Sequence, residues 1–258
     1  MRMAASADLQ SFGETVIVVT PQSYEEGLKD LVDTALKLAG GKSIEAIAVG
    51  FPGVLAHDKR TILSSEHLSQ WAGHLFAEDI ERGILTSVNL ENDAALVGLG
   101  EAVFGAGKDA SIVAYVTIST GVNGVRIVDG AIDRSSTGFE IGGQYLDHGG
   151  VLATFEELVS GSAIEKKYGM HPRELGKDTP LWEELAHIAA IGIHNSILHW
   201  SPERVVLGGS MMNEIGIPVE SIKNHLQSIM RKFPKVPDIV HSTLHDEGGL
   251  YGGLARLK

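Results

Sequence analysis

The chain has 258 residues, 43% hydrophobic and 21% charged, enough apolar material for a sizeable core in one large or two modest domains. With 33 acidic against 21 basic residues the net charge is −12, which argues against nucleic acid or an anionic membrane as the main partner. The absence of cysteine excludes disulfides, thiolate zinc sites and cysteine nucleophiles. No apolar run reaches the ~20 residues of a membrane span. The N-terminus carries no signal pattern, so the expected setting is cytoplasmic.

In chain order, Met1 to Ser6 alternates weakly, and Glu14 to Thr20 is a run of β-branched residues that predicts a strand. Pro21-Gln22-Ser23 opens a helix with Tyr24, Leu28, Leu31, Ala35 and Leu38 on one face, closed by Gly40-Gly41. Ile44 to Gly50 reads as a buried strand ending in Gly50-Phe51-Pro52-Gly53. Val54 to Trp71 lacks a sustained period and is expected to be an irregular surface loop. A helix around Leu75 to Ile80 leads to a strand over Thr86 to Leu90, and a further helix runs from Ala94 to Phe104. Glu91, Asn92 and Asp93 therefore sit at a strand-to-helix junction, the place where open α/β sheets bind ligands; either Asn92 or Asp93 suits an N-cap.

Gly105 to Asp109 marks the expected boundary. Beyond it, Ser111 to Ile118 is a strand, Ser119-Thr120-Gly121-Val122-Asn123-Gly124 a turn, and Val125 to Val128 a return strand, with Asp129-Gly130 a hairpin turn tolerant of positive φ. Helices are predicted over Thr154 to Tyr168, Trp182 to Trp200, Val219 to Phe233 and Gly248 to Leu257, and strands over Arg204 to Gly209 and Asp238 to Ser242. Strand–helix alternation implies a mostly parallel α/β architecture. The two halves repeat one plan of hairpin, third strand, helix, strand, helix, strand and helix. The first half holds only the hairpin's second arm, so one strand and one glycine turn are expected ahead of Met1.

Several residues are candidates for chemistry. In Ser119 to Gly124, glycine and Asn allow successive N–H groups to converge on an anion, and two hydroxyls add donors; hairpins also use these residues for geometry alone. Gly53 and the pair Gly208-Gly209 follow buried strands and permit close backbone approach. Asp93, Glu140 and Glu156 with Asn92 could bind sugar hydroxyls, although an acid in a first helical turn, such as Glu156, is also favourable locally. No histidine set has metal-ligand spacing with a carboxylate in register.

Together these motifs resemble the ROK family (repressor, open reading frame, kinase) of sugar kinases. Leu90-Glu91-Asn92-Asp93-Ala94-Ala95 resembles its catalytic motif, and Val116 to Gly124 followed by Asp129-Gly130 its second phosphate hairpin. Gly138-Phe139-Glu140-Ile141-Gly142 resembles its sugar-binding segment, Phe155-Glu156 with Ser160 to Ile164 the helix whose acid contacts the sugar, and Pro202 to Gly209 the adenosine-side strand and turn. The resemblance implies a two-lobed actin-like ATPase (ribonuclease H-like) α/β fold with mixed sheets flanked by helices. Residues 1–105 would form a small N-terminal lobe, with a C-terminal helix, 246–258, packing back on it, and residues 106–245 the large lobe. It implies ATP-dependent phosphorylation of a hexose or N-acetylhexosamine with Mg2+, in a homodimer. Asp93 would be the base; Asn92, Glu140, Glu156 and Gly53 would hold the sugar; Ser119, Thr120, Gly121, Asn123, Gly124, Gly208 and Gly209 would line the nucleotide.

Three departures from the family pattern follow. The zinc motif is absent, with Gly143 in place of its histidine, so no zinc is expected. Asn123 and Val125 replace hairpin glycines. The opening Asp-x-Gly-Gly-Thr segment would precede Met1, so the first strand of the N-terminal lobe is expected to be missing and activity impaired. A non-catalytic sugar- or nucleotide-binding protein is the alternative. A repressor would need a helix-turn-helix, and a carboxylate kinase an arginine beside these motifs; neither is present in the sequence.

Overall fold

The computed structural model describes residues 1–213 and 215–258. A short antiparallel pair, β1 (Arg2–Met3) and β2 (Val16–Ile17), opens the chain, so the β-branched run pairs over only two residues and Val19 is left exposed. Helix α1 (Tyr24–Ala39) starts at Ser23, whose side chain accepts the Glu26 N–H, and ends at Gly40 in the left-handed region.

β3 (Ala46–Phe51) is followed by a small hairpin of β4 (Val54–Leu55) and β5 (Ile62–Ser64), then α2 (Phe76–Ile84), β6 (Ser87–Asn92) and α3 (Asp93–Val103). β3 and β6 pair in parallel from Ala46–Ser87 to Phe51–Asn92. The segment expected to be a surface loop is instead core. Leu55, Ile62, Leu68 and Trp71 are buried, and Trp71 packs on Phe51, Tyr24 and Phe76 while its indole N–H donates to the Pro21 carbonyl.

The second half supplies β7 (Ile112–Ile118), β8 (Val122–Val128), β9 (Ala131–Ile132), β10 (Tyr145–His148) and β11 (Val151–Thr154). It continues through α4 (Phe155–Val159), α5 (Gly161–Tyr168), α6 (Leu181–Trp200), β12 (Arg204–Gly208), α7 (Val219–Ile229), β13 (Asp238–His241) and α8 (Gly248–Leu257). Its five-stranded sheet runs β13-β12-β7-β8-β9. β12 is parallel to β13 and β7, whereas β8 is antiparallel to both neighbours, so this sheet is mixed, as the family resemblance implied. Asp129 and Gly130 make the β8–β9 turn at positive φ, as their sequence predicts.

Two further departures are local. The helix expected over Thr154 to Tyr168 breaks at Ser160, whose side chain caps α5 by accepting the Ala163 N–H. The hairpin β10–β11 had no expected counterpart.

Helices α3 and α8 lie together with almost no side chain between them: a Cβ on Gly252 would fall 1.8 Å from the Leu96 carbonyl oxygen. α3 meets the second sheet through Gly98, against Val125 and Tyr115, and meets β3 where Gly50 faces Leu96 and Asp93. α8 touches β3 through Gly253 and Ala48. This helix pair holds the N-terminus of α3 between the two sheets.

Candidate active site

The strand-to-helix junction forms as its residues require. Asn92 ends β6 and caps α3, its Oδ1 accepting the Ala95 N–H at 3.1 Å, while its Nδ2 donates to the Gly53 carbonyl at 3.3 Å. Capping thus falls to Asn92 and leaves the Asp93 side chain open to solvent, its Oδ1 accepting the Ala94 N–H at 2.8 Å. Asp93 is open to solvent on one side but surrounded by protein elsewhere. This crowding raises its pKa above the ordinary value, against the pull of the Ala94 and Asp93 N–H groups and of His67.

Glu140 comes from the second half, at the end of the loop after β9. Burial first, then the negative fields of Glu156, Asp93 and Glu66, raises its pKa. The three predicted acids therefore share one electrostatic neighbourhood although they lie far apart in sequence. Glu156 sits in the first turn of α4, but the capping box there belongs to Thr154 and Glu157. Glu156 is free to reach outward, and its Oε2 accepts the Val122 N–H at 2.7 Å.

The turn between β7 and β8 is tighter than its sequence suggests, because β8 starts at Val122. Asn123 and Gly124 are strand residues opposite Thr117 and Val116. A Cβ on Gly124 would stand 2.7 Å from both the Ile141 side chain and the Tyr115 carbonyl oxygen, so packing accounts for this glycine. The turn proper is Ser119-Thr120-Gly121. The Ser119 N–H donates to the Gly121 carbonyl at 2.8 Å, and the Ser119 and Thr120 carbonyls accept the first N–H groups of α5, from Gly161 and Ser162. The Thr120 and Gly121 N–H groups have no partner among the described residues.

Gly208 and Gly209 are explained by contacts with β7: added Cβ atoms would lie 2.6 Å from the Tyr115 hydroxyl and 2.3 Å from the Ile118 carbonyl oxygen. Their successors Ser210 and Met211 line a separate cleft with Thr120. Gly53 lines a pocket with Asn92, Glu140 and the 135–139 loop.

Sequence reasoning placed Glu91 at the junction without giving it a role and missed Lys59; both stand on that pocket's wall. Glu91 is buried, paired with Lys59, and its Oε1 accepts the Asn92 N–H at 3.1 Å. An acid inside an apolar strand beside Asn92-Asp93 was the available signal; Lys59 gave none. His57 Nδ1 meets the Ser136 carbonyl oxygen at 2.8 Å across the pocket mouth. No group of three or more His, Asp or Glu side chains suited to a metal ion occurs among the described residues.

The sequence profile of the ROK family matches residues 5–258. The chain is 26% identical over 189 residues to a Bacillus subtilis protein, an alignment spanning 67% of this chain and 62% of that one. It is 21% identical over 271 residues to the glucokinase of Thermotoga maritima, covering 91% of this chain and 86% of the relative. Among solved structures, the ROK hexokinase of Thermus thermophilus superposes with a TM-score of 0.84 at 25% identity, over 96% of this chain and 91% of that one. A ROK family glucokinase of Streptomyces griseus in complex with glucose and AMPPNP gives 0.81 at 20% identity, over 99% and 95%. The fold is the actin-like ATPase fold that the sequence motifs implied.

Proposed function

The chain belongs to the ROK family, and on that footing we propose that it is an ATP-dependent kinase for a hydroxyl of a hexose or N-acetylhexosamine. The observation that carries the reading is the convergence of Asp93, Glu140 and Glu156 beside the Ser119–Gly121 turn. A carboxylate with a raised pKa is a better proton acceptor than an ordinary one. The glucokinase with glucose and AMPPNP supports a sugar and a nucleotide as the two substrates.

In this reading Asp93 accepts the proton of the attacking sugar hydroxyl. The new bond joins that oxygen to the γ-phosphorus, and the bond to the ADP oxygen breaks. Asn92, Glu140, Glu156 and Gly53 hold the ring hydroxyls, because carboxylates and amides offer the acceptors and donors a polyol needs. The Thr120 and Gly121 N–H groups face the phosphates, so the turn contributes donors rather than charge. Asn123, Gly124, Gly208 and Gly209 act by shaping that seat. Positioning is most of what phosphoryl transfer asks of a protein. Mg2+ bound with ATP would neutralise phosphate charge, with Asp93 the carboxylate at hand; magnesium needs only one or two protein carboxylates beside the phosphates. The described residues offer no preformed cage of three or more His, Asp or Glu side chains, which fits an ion arriving with the nucleotide.

Residues 1–105 with 246–258 and residues 106–245 serve as the two lobes, closing on substrate around the α3–α8 contact. We place the protein in the cytoplasm as a homodimer acting on small molecules. The net charge of −12 disfavours nucleic acid and anionic membranes as partners. No described helix is long and apolar enough to cross a membrane.

The test is ADP formation with a panel of hexoses and N-acetylhexosamines, run beside Asp93→Asn. Sugar-dependent turnover that falls about 100-fold or more in the variant supports the kinase. Absence of turnover, with a sugar still raising the melting temperature, would leave the non-catalytic binding protein.

A further inference from the structure

Glu140 and Glu156, the two candidate acids of the second half, stand at the ends of one excursion of the chain. It leaves Glu140 through a single helical turn, Ile141–Gly143, runs out and back as the hairpin β10–β11, and returns at α4. Gln144 sits where the excursion closes. Its carbonyl accepts the Phe155 N–H at 2.8 Å, one residue before Glu156, and its own N–H donates to the Ile141 carbonyl at 3.3 Å, one residue after Glu140.

The Gln144 side chain adds a second set of bonds at the same place. Its Nε2 donates to the Ile141 carbonyl at 3.0 Å and to the Gly192 carbonyl of α6 at 3.2 Å, while its Oε1 accepts from Asn195 Nδ2, also on α6, at 3.0 Å. A primary amide suits this set, having two N–H donors and an acceptor oxygen in one plane. Phe155 rests on the same stretch of α6: a Cβ on Gly192 would lie 2.8 Å from its buried ring. The helix that holds Gln144 is therefore the one on which the Glu156 end of the excursion packs.

The two acids are secured unequally. Glu156 has anchors of its own in the Thr154–Glu157 capping box and the Val122 N–H. The Glu140 side chain makes no hydrogen bond among the described residues, and Glu156, Asp93 and Glu66 all repel its charge. Its direction is left to the turn that follows it. That turn lies on β8, where a Cβ on Gly142 would fall 2.1 Å from the Val122 carbonyl oxygen, and the Gln144 amide ties it to α6.

We propose that Gln144 is a positioning residue for the sugar: by tying the Ile141–Gly143 turn to α6 it sets the direction of Glu140 relative to Glu156. This rests on the kinase reading above. Gln144 acts through Glu140, and Asn195 fixes the plane of its amide.

Gln144→Met keeps the length of the side chain and removes its three hydrogen bonds. With the panel sugar that supports turnover, the sugar KM should rise about tenfold and the ATP KM should change by less than about twofold. Asn195→Ala leaves both donor bonds of Gln144 in place and should give a smaller rise of the same kind. In a Glu140→Ala background the effect of Gln144→Met on the sugar KM should disappear, because the residue it positions is gone. Hydrogen exchange reads the tether without turnover: the amides of residues 141–144 should exchange faster in Gln144→Met, and those of α4 at the wild-type rate. An unchanged sugar KM, equal rises for sugar and ATP, or an effect that survives in the Glu140→Ala background overturns the assignment and leaves the kinase standing. A wild type in which no panel sugar gives turnover or raises the melting temperature overturns both.

Discussion

The Glu156 carboxylate stands where a side chain on Gly121 would begin: its Oε2 accepts the Val122 N–H at 2.7 Å, and a Cβ on Gly121 would lie 2.5 Å from that oxygen. An acid assigned to the sugar thus buttresses the turn assigned to the phosphates. Gly121→Ala would force the carboxylate off the Val122 N–H. The buried donor left unpaired costs about 1–3 kcal/mol, and displacement of the turn should lower kcat/KM roughly 10- to 100-fold. Because Glu156 serves both sides, KM should rise for sugar and ATP alike. A rise confined to ATP would separate Glu156 from the sugar.

Burial raises the pKa of both Asp93 and Glu140 above ordinary carboxylate values. Their folded pKa values exceed the unfolded ones, so the folded state holds these protons more tightly. Stability from this source is complete below the unfolded values, about 4, and is lost as pH rises through the raised folded values. Asp93→Asn and Glu140→Gln should therefore raise the melting temperature at neutral pH, by an amount that shrinks towards pH ~4, while Asp93→Asn abolishes turnover. For the wild type, kcat/KM should climb with pH through an inflection above the ordinary aspartate range. A flat profile across that range would remove Asp93 as the base.

Local signals carried part of this architecture. Ser23 and Gly40 bound α1 as their residue types require, and Asp129-Gly130 turns where it should. Asn92-Asp93 falls at the end of β6 because the change from alternating to helical spacing is written there. What escaped was set by distant contacts. β4 and β5 are too short to show a period, and only the aromatic cluster of Tyr24, Phe51, Trp71 and Phe76 makes their segment core. The break at Ser160 is likewise invisible locally, since the freed N–H groups of Gly161 and Ser162 go to Ser119 and Thr120 some forty residues earlier. Lys59 belongs to the site through Glu91, and no spacing rule links the two.

That pair yields a prediction of its own. Glu91 is buried and Lys59 about a third exposed, so Lys59→Ala strands a buried carboxylate that also fixes the Asn92 N–H. Breaking a fully buried pair costs about 3–5 kcal/mol; partial exposure of Lys59 reduces this to about 1–3 kcal/mol. Chemical denaturation should show that loss, and Lys59→Ala with Glu91→Gln should recover most of it. Additive losses in the double variant would mean that the two residues act independently.

The α3–α8 contact gives the sharpest contrast between neighbouring residues. A Cβ on Gly252 would meet the Leu96 carbonyl oxygen at 1.8 Å, and backbone cannot swing aside as a side chain can. A Cβ on Gly253 would meet only the Ala48 Cβ at 3.5 Å, an ordinary contact. Gly252→Ala must push the helices apart and should cost about 3 kcal/mol, the upper part of the overpacking range. Gly253→Ala should be neutral or stabilising by up to about 1 kcal/mol, the helix propensity that glycine gives up. Since α3 carries Asp93 at its N-terminus, Gly252→Ala should also lower kcat, whereas Gly253→Ala should leave it intact. Urea unfolding and steady-state kinetics on the two variants check this together, and equal behaviour of both would mean that the contact does not position the base.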